Sequence, residues 1–229
     1  MIITIDGPAG AGKSSIARRV ASELGFEFLD TGAMYRAVTW GVMQRGIAWD
    51  DVESLVEFAD AARLIWQDDR IYLDDQDISE EIRTPRVTSH IRYLADPPRI
   101  RERITAQQRR IATGRDIVTE GRDQGTEVFP DAHCKIFLTA SPEERARRRQ
   151  RQLAENGRVM SVEEILTAQN QRDLEDRMRP VGRLRAASDA IVVQTDGMSP
   201  DEVRGEVLRL VRECVQASAA NSAPSDVTT

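Results

Sequence analysis

Apolar positions follow two rhythms along this chain. Met1–Asp6 (MIITID) is a short, nearly continuous apolar run, as expected of a strand buried on both faces. A glycine-rich stretch follows. Ile16, Val20 and Leu24 then recur every four residues, with Ala17 and Ala21 beside them and Arg18, Arg19 and Glu23 facing away. That spacing predicts an amphipathic helix, which Gly25 ends. Phe26–Asp30 (FEFLD) returns to the strand rhythm. Strand, glycine loop, helix and strand together open a parallel α/β sheet.

The middle is different. From about Arg36 to Thr105 the pattern is mostly helical, and Thr88–Ala95 reads as one of its helices. At Arg63–Leu73 two apolar runs flank Gln67-Asp68-Asp69, which predicts a small hairpin. Pro85, Pro97 and Pro98 punctuate the rest of what reads as an insertion. Asp116–Glu120 and Lys135–Leu138 resume the strands. Between them Gly121-Arg122-Asp123-Gln124-Gly125 forms a loop at a strand's C-terminal end, where open α/β sheets bind ligands. Pro142–Gln152 is an arginine-dense helix with a stop at Asn156-Gly157, and Ser161–Asp176 is a second polar helix. Ala190–Val193 is a last strand and Pro200–Val215 a closing helix. The small, polar tail from Ala217 to Thr229 reads as disordered.

Composition narrows the possibilities. A length of 229 residues with 40% apolar content fits one core carrying smaller subdomains. No apolar run approaches the roughly 18 residues of a membrane span, and Met1–Ile5 is too short for a signal peptide, so a cytoplasmic protein with no membrane partner is expected. Cys134 and Cys214 show no metal spacing, and His90 and His133 are the only histidines. The net charge of −6 argues against broad nucleic-acid binding, while leaving room for a local basic cleft. Among 32 cationic residues the only lysines are Lys13 and Lys135. A lysine kept at position 13 marks a place where a slim point charge is needed.

Position 13 lies in that glycine-rich stretch. Gly7-Pro8-Ala9-Gly10-Ala11-Gly12-Lys13-Ser14 matches GxxxxGK[ST], with the strand before it and the helix after it that this phosphate-binding motif requires. Successive backbone N–H groups form a nest for an anion, and the helix adds its positive dipole end. Lys13 is expected to reach the β- and γ-phosphates of ATP, Ser14 to bind Mg²⁺, and Ser15 to donate to a phosphate oxygen. No NKxD motif of a guanine-specific GTPase is present. The nearest apolar strand ending in an acid is Asp116–Glu120. Transfer to a small acceptor needs cations around a second phosphate, and Arg36, Arg101, Arg122 and Arg179 stand beside glycines and turns that suit this. The expected fold is a P-loop α/β kinase: a five-stranded parallel sheet wrapped by helices, with an acceptor-binding insert and a helical lid.

TIDGPAGAGKSS (4–15), LDTGAMYR (29–36), PRIR (98–101), EGRDQGT (120–126), VFPDA (128–132), KIFLTAS (135–141), ERARRR (144–149) and RDLEDRMR (172–179) resemble the bacterial cytidylate kinases over roughly Ile2 to Leu210. The resemblance implies transfer from ATP to CMP, with dCMP also accepted, by a monomeric enzyme. It implies that Arg36 and Arg122 hold the acceptor phosphate and that Arg101 and Asp123 read the cytosine edge. Arg172 and Asp176 would meet the ribose and its neighbouring phosphate, and Arg179 would sit near the transferring group. Lys13, Arg122 and Arg179 would then be the catalytic residues. Arg148, Arg149 and Arg151 would belong to a lid over ATP. The corresponding division is a core of residues 1–35, 105–144 and 162–216, an insert of 36–104 and a lid of 145–161. Two positions depart from the family pattern: Arg92 stands where a base-recognising serine is usual, and Arg183-Leu184 where proline precedes leucine.

Each role has a competitor in the residues themselves. Arg148, Arg149 and Arg151 also suit a solvated or nucleic-acid-facing helix. Asp176 suits a helical ion pair, Asp123 a loop brace, and Trp40, Trp49 and Trp66 suit a core. A carboxylate at position 123 matches the amino donor of cytosine and repels the carbonyl that uracil presents there. A kinase for UMP or AMP, and a non-catalytic P-loop switch, are the alternative functions.

Overall fold

The first apolar run, β1 (Ile2–Asp6), is the central strand of a parallel sheet in the computed structural model, which describes residues 1–155 and 157–221. The chain continues through α1 (Lys13–Leu24), β2 (Glu27–Asp30), α2 (Thr31–Arg45) and α3 (Val52–Ala61). A small three-stranded sheet follows, of β3 (Leu64–Gln67), β4 (Arg70–Leu73) and β5 (Gln76–Asp77). Helices α4 (Pro85–His90), α5 (Arg92–Ala95) and α6 (Pro98–Ala112) lead back to β6 (Ile117–Gly121) and β7 (Cys134–Thr139). The paired helices α7 (Pro142–Glu155) and α8 (Val162–Met178) precede β8 (Ile191–Gln194) and α9 (Pro200–Asn221).

The large sheet has the order β2-β6-β1-β7-β8, with every neighbouring pair parallel. Ile3, Ile5, Leu29, Ile117, Val118, Ile136 and Leu138 are buried in it, because helices cover both faces of such a sheet. Val203, Val207 and Val211 of α9 are buried in the same core, one helical turn apart. β1 and β6 therefore end side by side, and the two loops that follow them share one edge of the sheet. Among the described residues no helix is long and apolar enough to cross a membrane.

The expected hairpin is present, with Asp68 and Asp69 both at positive φ, the geometry of a two-residue turn between twisted strands. Two expectations need correction. Thr88–Ala95 is two short helices interrupted at Ile91, not one. The closing helix does not stop at Val215 but continues to Asn221, since Ala217-Ser218-Ala219-Ala220 favours a helix. The rest of the expected disordered tail lies outside the described residues, as does Asn156. Helices α7 and α8 have an apolar cluster of their own, built on Ala146, Leu153 and Ile165.

Candidate active site

The loop between β1 and α1 is shaped by close backbone approach. Gly7 has φ +151°, and a Cβ there would fall on the Leu138 carbonyl of the neighbouring strand, so only glycine fits. Lys13 opens α1 and is buried, its Nζ donating to the Pro8 carbonyl at 2.9 Å. Burial, followed by the charges of Arg122 and Arg172, draws its pKa down to about 7 against the pull of Glu120 and Asp6. The Ser14 hydroxyl donates to Glu120 Oε1 at 3.0 Å, at the end of β6.

A buried ion pair braces this loop from the side. Asp173 on α8 accepts the Ala9 N–H at 3.0 Å, and Arg145 on α7 donates to the Ala9 carbonyl at 2.7 Å. Arg145 and Asp173 also bond each other at 2.6 Å, both nearly fully buried. Both backbone groups of Ala9 are thus held by a pair whose members come from different helices.

From the loop a cleft of about 720 Å³ runs toward the insert. Lys13, Ser14 and Ser15 lie at one end, with Arg36, Arg122, Arg172 and Arg179 along it. Asp176 organises two of these arginines. Its Oδ2 accepts from Arg122 Nε at 2.8 Å, and its Oδ1 meets Arg179 Nη2 at 2.7 Å. Arg179 Nε donates onward to Asp96 at 2.7 Å. Arg36 leans on Asp30 at 3.2 Å, which also caps α2 through the Ala33 N–H at 2.7 Å. The buried Nε of Arg36 has no hydrogen-bond partner among the described residues. Burial in the cleft, with Arg122 and the other cations around it, holds the Arg172 guanidinium below its ordinary pKa. Such a concentration of positive charge is built to take phosphate oxygens.

The far end of the cleft is chemically different. Tyr35, Thr88, Ile91 and Ala95 line it, and the buried pair Arg101–Asp123 sits among them. Arg101 Nη1 donates to the Ala95 carbonyl at 2.9 Å, and its guanidinium lies 5.3 Å from the Tyr35 ring centroid. Burial pushes the Tyr35 hydroxyl up to about 12, so it stays a neutral donor. The loop bearing Arg122 and Asp123 is fixed to the central strand, because Asp6 accepts the N–H groups of Gln124 at 2.9 Å and Gly125 at 2.7 Å.

The expected residues divide as follows. Ala9, Gly10, Gly12, Lys13, Ser14, Ser15, Arg36, Arg101, Arg122, Asp123, Arg172, Asp176, Arg179 and Arg149 line one cleft. Gly7, Pro8 and Ala11 form the loop behind it. Arg148 and Arg151 do not line it. Arg148 instead donates to Glu144 at 3.0 Å and to Thr195 Oγ1 at 2.8 Å. Helical phase is the reason: the cleft-facing side of α7 carries Arg145, Arg149 and Gln152, and Arg151 falls on the other side. Arg92 is exposed and lies over the Tyr93 ring. Trp66 is buried and Trp40 and Trp49 pack against the core, so none lines the cleft.

Several participants were not anticipated: Glu120, Tyr35, Arg145, Asp173, Arg158 and Asp6. Glu120 left a signal of its own, as the acid ending an apolar strand; Asp6, Tyr35, Arg145 and Asp173 lie inside the stretches that carry the family resemblance, with no role read for them.

A glycine loop between the central strand and its helix, facing an arginine-lined cleft, defines a P-loop kinase. Solved relatives agree at the level of fold: a gluconokinase from Sinorhizobium meliloti superposes with a TM-score of 0.50 at 20% identity, covering 96% of this chain and 97% of that one. Residues 3–213 match the cytidylate kinase family, and the chain belongs to it. It is 97% identical over the full length of both chains to a cytidylate kinase of Rhodopirellula baltica. It is 43% identical to that of Caldanaerobacter subterraneus subsp. tengcongensis, covering 92% of this chain and 94% of the relative. A bifunctional pantoate ligase/cytidylate kinase of Synechococcus sp. is 46% identical over 96% of this chain, which spans 42% of that longer protein.

Proposed function

We propose that the chain transfers the γ-phosphoryl group of ATP to CMP, giving ADP and CDP, and accepts dCMP as well. The observation that carries this reading is the buried Arg101–Asp123 pair at the end of a cleft that begins at the P-loop. Asp123 has one oxygen bonded to Arg101, which leaves the other to accept the cytosine amino group. UMP presents a carbonyl there, and two acceptors would face each other. Arg36 and Arg122 grip the acceptor phosphate, Arg172 and Asp176 address the ribose side, and Lys13 with Arg179 neutralises the group in transfer. The acceptor is already anionic, so positioning and charge neutralisation serve where a general base is otherwise needed.

The Ser14 hydroxyl and the Glu120 carboxylate are hard oxygen donors in contact, and the pair fits Mg²⁺, which takes few protein ligands beside substrate phosphates and water. Bound there, Mg²⁺ would neutralise charge on the donor phosphates. Among the described residues no cluster of three or more His, Cys, Asp or Glu side chains offers a metal cage, as this arrangement requires none. Residues 145–161 act as the lid, bringing Arg149 and Arg158 over ATP and excluding water as a competing acceptor. Residues 36–104 act as the acceptor-binding insert. The enzyme works as a cytoplasmic monomer without nucleic-acid or membrane partners.

A panel of CMP, dCMP, UMP, AMP and GMP, scored by ADP release, tests the assignment. CMP and dCMP should lead. Equal turnover of UMP would overturn the role given to Asp123, and equal turnover of AMP the assignment to CMP.

A further inference from the structure

We infer that Gly182 is a specificity-determining residue of the acceptor site, acting as a positioning residue through Arg101. This rests on the reading of Arg101 and Asp123 as the base-recognising pair.

Arg101 rises from the first turns of α6 and its guanidinium is held on three sides. One nitrogen donates to the Ala95 carbonyl, another to Asp123, and the Tyr35 ring flanks it. The remaining side is the segment that follows α8. There the backbone of Gly182 lies against the guanidinium so closely that a Cβ would fall inside 3.0 Å of Nη2, Cζ and Nε together. Gly182 also has φ +72°, the left-handed region that glycine adopts without strain.

A side chain here meets a group already committed. Arg101 is 4% exposed and bonded to Ala95 and Asp123, so making room means leaving those partners for the cleft. Nor is the segment free to retreat. The Leu184 N–H donates to the Asp176 carbonyl at 3.0 Å, Leu184 itself is buried, and Arg183 Nε donates to the Arg179 carbonyl at 2.7 Å. The segment is therefore anchored on Asp176 of α8 and on Arg179 just beyond it, the pair that organises the acceptor's phosphate end. Any atom beyond the glycine backbone displaces Arg101 from Asp123, leaving a buried carboxylate without its cation and no longer fixed for recognition. Pro180–Leu184 is thus the back wall of base recognition, and Gly182 sets its depth.

The experiment compares kcat/KM for CMP and UMP, and KM for ATP, in five variants, with thermal unfolding as the check on folding. Gly182→Ala should lower the CMP/UMP ratio about tenfold or more, within the range open to a site built on hydrogen bonds, while KM for ATP stays within about twofold. Gly197→Ala is the control for strain, since Gly197 has φ +74° with nothing within 4 Å of its would-be Cβ; its ratio should remain that of the wild type. Gly182→Asn, which tolerates the left-handed backbone but keeps a Cβ, should repeat the loss seen in Gly182→Ala, and it supplies the measurement where the alanine variant does not fold. Arg101→Ala should lower the ratio at least as far, and adding Gly182→Ala to it should lower the ratio no further. A wild-type ratio in either Gly182 variant, or a further fall in the double variant, overturns the inference. An unchanged ratio in Arg101→Ala instead overturns the base-recognition reading beneath it.

Discussion

Arg122 and Asp176, 54 residues apart, are joined by a 2.8 Å bond from Nε to a carboxylate oxygen that is almost fully buried. Burial alone would raise the pKa of Asp176, but Arg122, Arg179 and Arg172 outweigh it and hold the carboxyl below its ordinary range. The stabilisation is therefore present above the ordinary carboxylate value and is lost as pH falls through the lower folded value. Asp176→Ala leaves two arginines without their common anion. It should cost about 3 kcal/mol of stability, near the low end for a broken buried pair. Urea unfolding measures this, and a cost under a third of that figure would show the arginines held by something else.

Lys13→Ala should cut kcat/KM by roughly 10³ or more, because a point charge beside the transferring group is removed. Steady-state kinetics at saturating ATP decide it. More than a tenth of wild-type activity would remove Lys13 from the reaction.

Arg149→Ala and Arg158→Ala should lower kcat more than they weaken ATP binding, as expected of contacts made on closure. Arg148→Ala should behave differently. Its guanidinium joins α7 to Thr195, after β8, so the melting temperature should fall while kcat holds. Kinetic loss confined to Arg148→Ala would reverse the assignment of faces on α7.

Burial drives the Asp6 carboxyl up to about 7, exceeding the opposing effect of the Gly125 and Gln124 N–H groups and of Lys13, with Asp123 adding to the rise. Because the folded value lies above the unfolded one, the contribution to stability is complete below about pH 4 and is lost as pH rises toward 7. The melting temperature of the wild type relative to Asp6→Asn should therefore decline across that interval and level off above it. A difference that is flat from pH 4 to 7 means that Asp6 is ionised throughout.

Arg92 stands where the family usually places a serine, yet its side chain is exposed and lies on Tyr93 rather than lining the cleft. Arg92→Ser should leave KM for CMP within about threefold, or under about 0.7 kcal/mol. A tenfold rise confined to CMP would make Arg92 a base reader.

Much of this was legible in the chain because it is local. The P-loop is eight consecutive residues, and the five strands announce themselves by short apolar runs. Braces were not legible. Ala9 meets Asp173 across 164 residues and Gly125 meets Asp6 across 119, and no local pattern pairs either acid with so distant a partner. Arg149 and Arg148 are adjacent in sequence and identical in chemistry, so only the phase of α7 against the cleft separates them. Arg183-Leu184 registered as a departure from a family pattern, but only the three-dimensional path showed that Gly182 beside it rests on Arg101.

The scarcity of lysine has a practical meaning. The chain's two side-chain amines, Lys13 and Lys135, are both buried, and Lys135 is committed to Asp189 at 2.7 Å. Every other basic side chain of the arginine and lysine type is a guanidinium, which stays protonated and is a poor nucleophile near neutrality. Burial and the charges of Arg122 and Arg172 draw the Lys13 pKa down, and its side chain lines the cleft. Acylating reagents that scatter over the surface of most proteins thus find no exposed lysine here, and the cleft leads them to a single lysine address. Because that address lies on the nucleotide's path, the rate of modification becomes a direct gauge of how much of the enzyme is occupied.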